Sequence, residues 1–72
     1  MDKTKQMKHA MKLHGVTYAD MGRELNRSPY TVKQRLNTKS TFHKYVDEYT
    51  EALKKCIELK EKEKEKALEK LG

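Results

Sequence analysis

The stretch Val16-Thr-Tyr-Ala-Asp-Met-Gly-Arg-Glu-Leu-Asn-Arg-Ser-Pro-Tyr-Thr-Val-Lys-Gln-Arg-Leu-Asn37 contains two helix starts and one corner within 22 residues. Thr17 is placed to cap a helix over 18–25. Asp20, three residues on, suits the positive end of the helix dipole, and Val16 can staple onto Met21. Asn26 follows Leu25, and Asn is second only to Gly at a left-handed turn position. Ser28-Pro29 then restarts a helix at once, with Ser as the cap and Pro at the first helical position, where its missing N–H is no loss. Met21 and Leu25 on the first helix and Val32 and Leu36 on the second form the apolar seam. Gly22 falls where the pair must approach closely. The pattern predicts two short helices over 18–25 and 29–37, joined by Asn26-Arg27-Ser28.

Outward from this pair, residues 4–14 read as a helix with Met7, Ala10, Met11 and His14 (or Leu13) on one face, stopped by Gly15. After the polar Asn37-Thr38-Lys39-Ser40-Thr41, a helix over 41–59 is predicted, capped by Ser40 or Thr41. Phe42, Tyr45/Val46, Tyr49, Ala52/Leu53 and Cys56/Ile57 recur along it at helical spacing. Lys60 to Lys66 alternates Lys and Glu. Opposite charges fall at i, i+3 but like charges at i, i+4, so salt-bridge support for helix is mixed. The tail over 60–72 is expected to be poorly ordered or a solvated helix. With no strand-like alternation, the reading is an all-α domain of about four helices over 1–59 with a charged tail.

Charge narrows the class. The 72 residues carry 17 Lys/Arg against 11 Asp/Glu, a net of +6, with a pI near 9.5. Residues 1–44 hold ten Lys/Arg against Asp2, Asp20 and Glu24, a balance of +7; residues 45–72 balance at −1. A small basic domain of this pI carries the electrostatic footprint of a nucleic-acid binder. A chain this short has little with which to wall a deep catalytic pocket, and no nucleophile–base pair or phosphate loop stands out. His9, His14 and His43 lack metal-ligand spacing and Cys56 is the sole cysteine, so no metal, disulfide or cofactor is expected. Without a long apolar run or a signal-peptide pattern, a cytoplasmic location is expected.

Tyr18, Met21, Gly22, Leu25, Asn26, Ser28, Thr31 and Val32 together resemble the helix–turn–helix of phage Cro-type and lambda-repressor-type regulators and of LacI-type headpieces. The resemblance covers roughly residues 5–57. Gly22 stands where those families usually have Ala, and Asn26 where they usually have Gly; both exchanges are expected to preserve the physics. The resemblance implies that the second helix lies in a DNA major groove. With Val32 and Leu36 inward, Tyr30, Lys33, Gln34 and Asn37 face outward as candidate base contacts: Gln and Asn suit adenine, Lys suits guanine, and Tyr suits a thymine methyl or a phosphate. Thr17, Tyr18, Arg27, Ser28, Thr31, Arg35, Lys39 and Ser40 flank that face as candidate phosphate contacts, each of which also reads as a plain cap or solvated charge.

The expected function is a small DNA-binding transcriptional regulator of phage or mobile-element type, acting on double-stranded DNA as a homodimer. The alternative is a protein-binding modulator, similar to phage antirepressors, that binds a repressor and alters its DNA contacts. The long apolar stripe bears on both readings. Its distal part, Leu53, Cys56 and Ile57, extends beyond what three short helices are expected to cover and is read as a partner interface.

Overall fold

The computed structural model describes residues 2–71 and is all-helical: α1 (Lys3–Leu13), α2 (Tyr18–Leu25), α3 (Pro29–Leu36), α4 (Lys39–Phe42) and α5 (Val46–Leu71). The corners follow the local chemistry. Gly15 takes φ +66°, and behind it the Val16 N–H donates to the Met11 carbonyl at 2.8 Å and the Gly15 N–H to that of Lys12 at 3.2 Å. This is a Schellman closure, and its two flanking side chains, Met11 and Val16, both enter the core. Asn26 does the same work after α2 at φ 56°, ψ 46°, and the Arg27 N–H reaches the Gly22 carbonyl at 2.9 Å. Thr17 and Asp20 form a complete capping box on α2, and Ser28 caps α3 with Pro29 in its first turn. At α1 the cap is Asp2, whose Oδ1 accepts from the Thr4 N–H at 2.9 Å and from the Thr4 hydroxyl at 2.7 Å.

Met7, Met11, Val16, Met21, Val32, Leu36, Phe42 and Tyr49 share one core, with Ala10, Leu25, Tyr45 and Val46 packed against it. Phe42 and Tyr49 meet edge to face, with ring centroids 5.4 Å apart, a geometry that aromatic quadrupoles favour. The Tyr49 hydroxyl is buried without a hydrogen-bond partner among the described residues. Burial pushes this phenol's pKa up, and the nearby Arg35 guanidinium pulls it the other way.

Three expectations are corrected. The single helix over 41–59 is instead α4 and α5, separated by a turn closed by Lys44 N–H to Thr41 O (3.1 Å) and Tyr45 N–H to Phe42 O (2.8 Å). The break lets Phe42 reach the core from α4, which packs on α1 and α3, while α5 runs along α2. Neither Ser40 nor Thr41 caps a helix there; Thr38 precedes α4 without a side-chain cap bond. The partner-interface assignment of Leu53, Cys56 and Ile57 also fails, because α5 lies along α2 and is covered by it. Leu53 is only 8% exposed and Cys56 is buried, while Ile57 packs against the same core. Burial pushes the Cys56 thiol pKa up, away from thiolate reactivity. Of the two tail alternatives the helix is realised, continuing solvent-exposed from Glu61 to Leu71.

Asp20 ties the α2 cap to distant sequence. Beyond accepting from the Thr17 N–H at 3.0 Å, it pairs with Arg23 at 2.6 Å and with Lys60 of α5 at 3.4 Å. The bond from the Thr17 backbone chiefly, then those from Arg23, Thr17 Oγ1 and Lys60, hold its pKa at about 2 against an ordinary 3.8. A folded pKa below the unfolded one means that this stabilisation is present above the unfolded value. It is lost as pH falls through the folded one. The melting temperature is therefore expected to drop between about pH 4 and pH 2, with Asp2, also held near 2 by the Thr4 hydroxyl and backbone bonds, contributing in the same window. Asp20→Asn should flatten that acid limb in a series of thermal melts; an unchanged limb would remove Asp20 from the account.

Candidate nucleic-acid interface

α3 presents a two-sided helix. Val32 and Leu36 are fully buried beneath it, which sends Tyr30, Lys33 and Gln34 to solvent on the opposite side. Tyr30 is 67% exposed, a large apolar surface to leave in water on a small domain. The Gln34 Nε2 donates to the Tyr30 hydroxyl at 2.8 Å, so the two side chains hold each other upright one turn apart. This bond uses one of the two amide N–H groups of Gln34 and leaves the other, with Oε1, free. One donor beside one acceptor is the pattern that pairs with N7 and N6 of adenine.

The N-terminal end of this face is built by the corner. Exposed Arg27 lies against its neighbour's backbone, Nη1 reaching the Asn26 carbonyl at 3.5 Å. The Ser28 and Thr31 hydroxyls bond each other at 2.9 Å, and the Thr31 N–H donates to Ser28 Oγ at 3.2 Å. These groups sit at the positive end of the α3 dipole, where an anionic oxygen is favoured. Thr17 is exposed at the start of α2, its hydroxyl accepting from the Asp20 N–H at 3.1 Å, and Tyr18 is half-buried beside it.

Three candidate contacts are placed otherwise. Asn37 follows α3 as its C-cap; its Nδ2 donates to the Lys33 carbonyl at 2.9 Å and its Oδ1 accepts from Lys8 Nζ of α1. Both ends of its amide thus also serve the protein, each keeping one further N–H or lone pair. Arg35 stacks its guanidinium over the Tyr45 ring, 4.2 Å from the centroid. A cation is attracted to that face, so Arg35 braces the junction of α3 with the turn before α5 and is not extended toward a phosphate. Lys39 pairs with Asp2 at 3.2 Å, closing the N-terminus of α1 onto α4, while Ser40 is exposed on α4. The sequence reading overlooked Lys8 and Lys12, which line a groove with Thr17 and Tyr18 beside the start of α2. Their spacing with Lys5 was visible in the sequence.

Among the described residues no cluster of His, Cys, Asp and Glu has the arrangement of a metal site, and no helix is long and apolar enough to cross a membrane. No family model, curated protein or solved structure matches this chain.

Proposed function

We propose that this chain is a helix–turn–helix protein that binds double-stranded DNA with α3 in the major groove. The observation that supports this most is the outward face of α3: Tyr30, Lys33 and Gln34 stand free of the core, directly above buried Val32 and Leu36. The basic first 44 residues supply the attraction to phosphate, and Arg27, Ser28, Thr31, Thr17 and Tyr18 frame the face as backbone contacts. More particularly, the proposal is a transcriptional regulator of phage or mobile-element type, acting in the cytoplasm as a repressor and pairing with a second copy on a near-palindromic site. A modulator that binds another regulator is the second reading. It is favoured by Leu68 and Leu71, which are exposed near the end of α5 beyond the core.

On a duplex selected from a random library, Lys33→Ala and Gln34→Ala should each weaken binding by roughly 1–3 kcal/mol, with far smaller losses on random duplex. Arg27→Ala should weaken both alike and flatten the salt dependence. Equal losses on selected and random DNA for all three variants, measured by fluorescence anisotropy, would show that α3 does not read bases.

A further inference from the structure

α1 contains Lys3, Lys5, Lys8 and Lys12 and no acidic residue. Thr4, Met7 and Met11 form its buried face, and Lys5, Lys8 and Lys12, at i, i+3 and i+7, follow one edge beside it. That edge has a fixed neighbour. The bond from Lys8 Nζ to Asn37 Oδ1 pins the middle of the row to the C-terminal end of α3, and Lys8 and Lys12 line the groove that runs to Thr17 and Tyr18. Among the described residues, none of the three ammonium groups is paired with a carboxylate. On α2, Asp20 is occupied by Thr17, Arg23 and Lys60. The lysines of α5 stand in contrast, since that helix balances them with acids along its length. A solvated charge run accounts for α5; it leaves the uncompensated edge of α1 unexplained.

We infer that Lys5, Lys8 and Lys12 form a ridge that grips the phosphate backbone of duplex DNA beside the base-reading face of α3. This rests on the DNA-binding reading above and adds a second, sequence-independent contact to it. Seven residues of helix span about 10 Å, and each strand advances by about 3.4 Å of duplex axis per phosphate, so a ridge laid along the axis is long enough for about three of them. Lys8 can serve α3 and DNA together, because an ammonium has three donors and Asn37 takes one.

The test is the salt dependence of binding to selected and random duplexes, for the full chain and two variants of equal charge. One variant is Lys5→Gln/Lys8→Gln/Lys12→Gln; the other, Lys62→Gln/Lys66→Gln/Lys70→Gln, changes exposed residues of α5. Gln matches Lys in helix propensity, and circular dichroism verifies the fold of each. Losing three phosphate contacts should shrink the affinity drop between 50 and 200 mM salt by about 40-fold for the α1 variant. The ratio of selected to random binding and the salt response of the α5 variant should both stay near those of the parent. An unchanged drop in the α1 variant, or an equal change in both variants, overturns the ridge while leaving the role of α3 intact. A parent chain that binds no duplex at all overturns both.

Discussion

Phe42→Ala is expected to destabilise the fold by about 3–5 kcal/mol, the usual range for emptying an aromatic site in a packed core. Phe42 is only 1% exposed, and it is the sole buried side chain of four-residue α4. Its ring sits edge-on to Tyr49, so truncation also removes the support on which α5 turns away from α4. A domain this small has a total stability of only about 3–5 kcal/mol or little more. The variant should therefore be largely unfolded at room temperature by circular dichroism. A cooperative melt close to that of the parent would mean that α4 is an appendage and that the break before α5 does not organise the core.

The second large effect is expected at Gly22, where a single methyl group is enough. A Cβ built on Gly22 would lie 2.5 Å from the carbonyl oxygen of Arg27 and 3.5 Å from the backbone of Ser28 and Pro29. The obstacle is backbone, so no rotamer change relieves it. It is also the backbone that carries the 2.9 Å bond from the Arg27 N–H to the Gly22 carbonyl. Ala gains up to about 1 kcal/mol of helix propensity over Gly, and against this stands an overpacking cost of typically 1–3 kcal/mol or more. Gly22→Ala should lower the melting temperature and tilt α3 relative to α2, weakening any ligand that α3 binds. The Ala that the resembled families usually carry here does not fit this corner, in keeping with the close approach expected at Gly22. A neutral or stabilising Gly22→Ala would show that the corner relaxes freely.

What was legible in the sequence was local. The Thr17/Asp20 box, the left-handed Gly15 and Asn26, and Ser28-Pro29 each act within a few residues, and each marks an element boundary. The inward seam of Val32 and Leu36 follows from helical periodicity. The break after Phe42 was not legible, because neither Gly nor Pro marks it and Phe42, Tyr45/Val46 and Tyr49 keep the spacing of an unbroken helix. Only the acids at Asp47 and Glu48, in the first turn of α5, hint at a new helix start there. Tertiary packing decided the rest. How much of α5 is covered depends on its lying along α2, and that alignment places Leu53 in the core. At the candidate interface, residue type and periodicity were enough to bring out Tyr30, Lys33 and Gln34. The fates of Asn37, Arg35 and Lys39 depend on Lys8, Tyr45 and Asp2, partners as many as 37 residues away that periodicity does not reveal.

Titration of isotope-labelled protein with duplex DNA, followed amide by amide by NMR, tests the central claim most directly. The account predicts saturable shifts concentrated at Thr17–Tyr18 and Arg27–Gln34 and extending to the α1 edge at Lys8 and Lys12, while amides beyond Lys60 stay fixed. Shifts confined to α5, or none with any duplex drawn from a random library at low salt, would contradict it.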